Sequence, residues 1–113
     1  MNFVALHGRV SRDPDVKTTA SGQNVARLTI AVDKYSKDGN RAADFIGCVA
    51  FGRTAELLGK YFQRGKEILA EGRIQTGSYE KDGKKVYTTD VVLERVEFCG
   101  SKGGEQKQEE IPF

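Results

Sequence analysis

Three features of the 113-residue sequence predict an all-β fold: a five-stranded Greek-key barrel, one α-helix between strands 3 and 4, and a disordered C-terminal tail. Extended segments alternate apolar and polar residues with a period of two. A single internal stretch shifts to helical spacing. The last residues lose all periodicity.

The first strand is FVALHGRV, and RDPDVKTTASGQN supplies the Pro and Gly of turns. In VARLTIAV, Leu28, Ile30 and Val32 alternate with Arg27, Thr29 and Ala31, the pattern of an antiparallel strand. Asp38-Gly39 signals a turn into DFIGCVAFG, where Phe45, Gly47, Val49 and Phe51 share one face and Ile46, Cys48 and Ala50 the other. Both faces are apolar; one meets the core, and the other needs an explanation. In RTAELLGKYFQRG, Ala55, Leu58 and Phe62 fall at helical spacing, with Thr54 as N-cap, Glu56 in the first turn and Gly65 as the stop. KEILAEGRIQTGSYE and KVYTTDVVLERVEF are joined by Lys81-Asp82-Gly83-Lys84, a strong hairpin signal. This order fits the OB-fold, a small barrel whose strand face and loops bind oligonucleotides, although other small barrels share the pattern.

Length allows one domain, and no apolar run is long enough to span a bilayer. The N-terminus lacks a basic segment followed by an apolar one, so a cytoplasmic location is expected. Cys48 and Cys99 lie far apart in apolar surroundings and form neither a disulfide framework nor a CxxC motif, so both read as packed residues with no metal role. Catalysis finds no footing either. His7, the one histidine, stands mid-strand without a local partner and reads as a hydrogen-bonded or packed side chain. HExxH and GxSxG are absent, and GRIQTGS lacks the lysine of a phosphate loop. A non-enzymatic protein without a cofactor is expected.

Charge divides unevenly. Lys102 and Lys107 stand against Glu105, Glu109 and Glu110, so residues 100–113 net −1 and the total of +2 leaves +3 on the body. A mildly basic body suits a polyanion. The aromatics sharpen this: Tyr35, Phe45, Phe51 and Tyr79 each have basic neighbours among Lys34, Lys37, Arg41, Arg53, Lys81, Lys84 and Lys85. Aromatic rings stack unpaired bases for about 1–3 kcal/mol each, and cations hold the phosphates. Taken singly, each ring is better explained as core (Phe45, Phe51) or turn-flanking (Tyr35, Tyr79); four with basic surroundings shift the balance toward base stacking.

GRVSRDPDVKTTASGQNVARLTIAVD and DFIGCVAFGRTAELLGKYFQRGKEILAEGRIQTGSYEKDGKKVYTTDVVLERVEF closely resemble the bacterial single-stranded DNA-binding protein family over nearly all of residues 1–99. The EEIPF end is similar to the family's acidic tip. The resemblance implies an OB-fold domain over 1–99, a short linker over 100–108 and a partner-binding tip over 109–113. It implies a homotetramer that coats single-stranded DNA without strong sequence preference and recruits replication, repair and recombination proteins in the nucleoid. Tyr35, Phe45, Phe51 and Tyr79 match the family's stacking positions, three of which are often tryptophan; this chain has none, so weaker binding per nucleotide is expected. Gln75, Gly77 and Ser78 stand where the family is more basic, and Ile46 matches a position near its subunit contacts.

The tip explains an otherwise odd apolar terminus. Ile111, Pro112 and Phe113 form a plug for a hydrophobic pocket, and Glu109 and Glu110 supply steering charge toward a basic rim. A linker of this length spans about 16 Å, which keeps a captured partner close to the barrel. Two alternatives stand beside this reading: an OB-fold adaptor of a replication-restart or conjugative assembly with weak DNA binding, and an RNA binder, since stacking does not distinguish sugars.

Overall fold

In a computed structural model of the chain, residues 1–35, 37–39 and 42–99 are described. Arg41 and the 100–113 linker and tip lie outside the described residues. The elements run β1 (Val4–Val10), β2 (Asp15–Thr18), β3 (Asn24–Lys34), β4 (Ala42–Phe51), α1 (Gly52–Tyr61), β5 (Glu67–Lys81) and β6 (Lys84–Phe98). The sheet order is β1-β5-β6-β4-β3-β2, and β1 pairs again with β3 through Arg9↔Ala31 and Val10↔Ile30, which closes the barrel. The β4–β6 pairing is parallel and short, Cys48↔Val91 and Val49↔Val92; the other pairings are antiparallel.

The five long strands and the single helix follow the expected order of the OB-fold, with one addition. Strand β2 forms inside the segment read as a turn, pairing Thr18 with Asn24 and Asp15 with Arg27. All four of its residues are exposed, so no buried face marks it in the sequence. Closure requires close backbone approach at Gly8, where a Cβ would overlap the Ala31 carbonyl oxygen.

Alternation fills the interior. Leu6 and Val10 of β1, Ala26, Leu28 and Ile30 of β3, Cys48 and Ala50 of β4, Ile68 and Ala70 of β5, and Val91, Leu93 and Val96 of β6 meet in one core. Helix α1 covers this core with Ala55 and Leu58, and Phe62 beyond its C-terminus is fully buried, stacked on Phe98 at 4.5 Å between centroids. The cap assignments need correction. The helix begins two residues before Thr54, with extended Phe51 in the N-cap position and no side-chain cap, because Gly52 at φ +62 turns the strand directly into the helix. Glu56 therefore lies beyond the first turn, where its carboxylate accepts a 2.8 Å hydrogen bond from Asn24 Nδ2. The helix ends at Tyr61 and not at Gly65, since Phe62 leaves helical geometry as it enters the core.

Candidate nucleic-acid interface

The apolar outer face of β4 is the feature the core leaves unexplained. Phe45 is 68% exposed and Phe51 40%, while Ile46, Cys48 and Ala50 point inward. Antiparallel register with β3 sets Val25 opposite Phe51, Arg27 opposite Val49 and Ala31 opposite Phe45. Cross-strand neighbours in register share a face. The outer surface of β3–β4 thus carries two exposed rings about 20 Å apart along the strand, with exposed Arg27 between them.

Beyond the Cys48↔Val91 pair, β4 and β6 part company, and the β5–β6 hairpin continues as an arm. Its pairing runs unbroken from Arg73↔Val92 to Lys81↔Lys84, closed by Asp82 and Gly83 at φ +54 and +78, the two-residue turn that the sequence signals. Alternation puts Arg73, Gln75, Gly77, Tyr79 and Lys81 on the same side as Lys84, Val86, Thr88, Asp90 and Val92. That side is continuous with the outer face of β4, for Val49 is in register with Val92 and a Cβ on Gly47 would lie 3.4 Å from Asp90 Oδ1. Phe51, Phe45 and Tyr79 therefore line one surface, with Tyr79 and Phe45 displaced in the same direction from the Val49–Val92 row.

The remaining sequence candidates distribute as follows. Tyr35 is fully exposed just beyond β3, beside the turn that holds exposed Lys37. Arg53 is exposed in the first turn of α1, two residues from Phe51. Lys81 and Lys84 flank Tyr79 at the arm's end, whereas Lys85 lies on the reverse face with Tyr87, which is 76% exposed. Lys34 is set apart as well: its ammonium donates to Asp44 Oδ1 at 3.1 Å, and both residues fall on the side of the sheet opposite Phe45. Among the described residues, Arg27, Arg53, Lys81, Lys84 and Lys85 form no ion pair. Their charge is available to an anionic ligand.

Two residues were missed by reading the sequence. Arg27 was assigned to the polar face of its strand but not to the site, because only the register with β4 brings it between the rings. Asp90 lies at the root of the arm, where its charge joins burial in pushing the Cys48 thiol up to about 12. An acid at that point limits how closely a phosphate can approach the groove floor.

Comparison with known proteins decides the family. The single-strand binding protein family matches residues 1–99. The chain belongs to that family. A single-stranded DNA-binding protein of Fusobacterium nucleatum is 49% identical, across 90% of this chain and 69% of its own length. One from Clostridium perfringens is 47% identical, across 92% of this chain and 69% of its length. These relatives are named for binding and not for a reaction. A Plasmodium falciparum SSB solved in complex with single-stranded DNA superposes with a TM-score of 0.79 at 23% identity, covering 88% of this chain and 95% of that one, which shows the shared fold. No helix among the described residues is long and apolar enough to cross a membrane.

Proposed function

We propose that the chain binds and coats single-stranded DNA without strong sequence preference, stacking bases on Phe51, Phe45, Tyr79 and Tyr35. The observation that carries this reading is the pair of exposed phenylalanines on the outer face of β4, on either side of buried Val49 and outside the central core, on a face in register with the arm that bears Tyr79. Each stacked base contributes about 1–3 kcal/mol, and every base has a face to offer, so sequence matters little. Phosphates are held by Lys37, Arg53, Lys81 and Lys84, with Arg27 added between the rings. Arg41, outside the described residues, belongs to the same set by position in the sequence. Lys34 and Lys85 serve the same strand only where it wraps past the edge of this face.

This reading carries selectivity for single strands. The faces of paired bases are already stacked within a duplex and unavailable to Phe45 or Tyr79. Fluorescence anisotropy of a labelled oligothymidine and of a duplex of equal length, at low and moderate salt, tests this. Tight binding of the single strand that partly survives salt is expected. Equal binding of both, lost with salt, would leave only a basic surface and overturn the reading.

Residues 1–99 act as the binding domain, 100–108 as a linker and 109–113 as a docking tip for replication, repair and recombination proteins. The support for the tip is its sequence, Glu109 and Glu110 before Ile111, Pro112 and Phe113. Deleting 109–113 should abolish such docking and leave DNA affinity equal or higher. Assembly as a homotetramer is part of the same proposal, and sedimentation equilibrium measures it.

A further inference from the structure

One cluster of reactive side chains lies away from the aromatic face. His7 sits in the middle of β1, Glu67 opens β5 and Cys99 follows the last residue of β6. The register Arg9↔Glu67 makes His7 a diagonal neighbour of Glu67, and Ile68↔Phe98 brings Cys99 alongside it. One ligand atom from each residue, an imidazole nitrogen, a carboxylate oxygen and a thiol sulfur, falls within 4.8 Å of the other two. His7 Nε2 and Glu67 Oε2 are 2.6 Å apart, a hydrogen bond that turns the imidazole toward the cluster. The sequence conceals this set, because its members come from three strands and follow no short spacing.

We propose that His7, Glu67 and Cys99 form a binding site for a divalent transition-metal ion, best suited to zinc. Nitrogen, sulfur and carboxylate donors together favour zinc over the hard cations calcium and magnesium, which take oxygen ligands. Tetrahedral zinc with bonds of about 2.0–2.3 Å needs donors about 3.3–3.8 Å apart. The His7–Glu67 pair must open by less than 1 Å or so, and the widest separation must contract by about as much, which rotation of partly exposed side chains supplies. The guanidinium of Arg9 is 3.6 Å from Oε1, the other carboxylate oxygen, and holds the carboxylate while leaving Oε2 to the metal. Its positive charge opposes the ion, whereas Glu97 beside Cys99 favours it.

Binding releases the Cys99 thiol proton to solvent, shifts the His7 Nε2 proton through solvent to Nδ1, and exchanges the His7–Glu67 hydrogen bond for two bonds to the ion. A water takes the fourth position. The ion thereby ties β1, β5 and the end of β6 together. The site is twelve residues along β5 from Tyr79, about 40 Å of strand, so it does not compete with the aromatic face for DNA.

Cobalt(II) titration of the full, reduced, metal-free chain tests the site. One equivalent per chain is expected to give the visible bands of tetrahedral cobalt and a thiolate-to-cobalt charge-transfer band, displaced by zinc. Cys99→Ser should abolish the charge-transfer band, and His7→Gln should weaken binding at least tenfold. Cys48 is only 2% exposed, so a chromogenic disulfide reagent reads Cys99, and zinc should slow that reaction until a chelator is added. Zinc at a fixed concentration should raise the melting temperature of the parent chain more than that of either variant. Failure to saturate, or parental affinity in either variant, overturns the assignment.

Discussion

The two halves of the β5–β6 hairpin share continuous antiparallel pairing but differ in what surrounds them. In the barrel half, Ile68, Ala70, Leu93 and Val96 are buried; in the arm, every β5 residue from Arg73 to Lys81 is exposed, and burial on β6 is confined to Val91 and Val92 at its root. Ladder hydrogen bonds and a two-residue turn therefore hold the arm without a core of its own, while the barrel half depends on packing. Side chains on the arm are released from the demands of the fold and can be chosen for a ligand. Phe62→Ala, in the fully buried residue stacked on Phe98, should cost about 3–5 kcal/mol in urea unfolding. Tyr79→Ala should stay within about 0.5 kcal/mol. A comparable loss of stability at Tyr79 would show that the arm packs onto something and would break the comparison.

DNA affinity should invert that ranking. Tyr79→Ala is expected to weaken oligothymidine binding by about 1–3 kcal/mol, or roughly 5- to 150-fold in Kd, by anisotropy. Tyr87 is the control: it lies on the reverse of the arm although more exposed, at 76% against 53%. If Tyr87→Ala costs as much as Tyr79→Ala, both faces of the arm contact the strand.

The same division governs what the sequence revealed. The buried elements were legible because burial imposes a period: Leu28, Ile30 and Val32 on β3, and Ala55, Leu58 and Phe62 around α1. Asp82-Gly83 was legible because only a few residues accept positive φ twice in succession. Strand β2 was not, since four exposed residues carry no alternation. The start of α1 was misplaced because Thr54 offered a familiar cap, while Gly52 made the turn without one. At the proposed interface, aromatic identity nominated Phe45, Phe51 and Tyr79, which the register sets on one surface, but the face of each lysine depended on register. His7 could be read as a hydrogen-bonded strand residue, yet its partner stands sixty positions away.

The core side of the comparison has a titratable reporter in Cys48. Burial first, and the charge of Asp90 second, push its thiol up to about 12 from 9.0. Between those values the folded chain keeps the proton and the unfolded chain loses it, so stability falls as pH rises, by up to about 1.4 kcal/mol per pH unit. Cys48→Ala removes this contribution. Denaturation midpoints from pH 8 to 10.5 should therefore fall more steeply in the parent chain than in the variant above pH 9 or so. Parallel curves would mean that the thiol is not held in a desolvated site.

The finest distinction concerns neighbouring lysines on opposite faces of the arm. Lys84 pairs across from Lys81 on the side of Tyr79, whereas Lys85 pairs with Glu80 on the side of Tyr87. For a single strand, each neutralised phosphate contributes about 0.7 to the slope of log K against log salt. Lys84→Gln should reduce the slope by about that much, and Lys85→Gln by measurably less, because a strand lying on Tyr79 passes over the Lys84 ammonium and not over that of Lys85. Exposed lysines contribute little to stability, so both variants isolate the ligand's path from the fold. Equal reductions would require the strand to wrap the arm's end, and a larger effect at Lys85 would move the path to the reverse face.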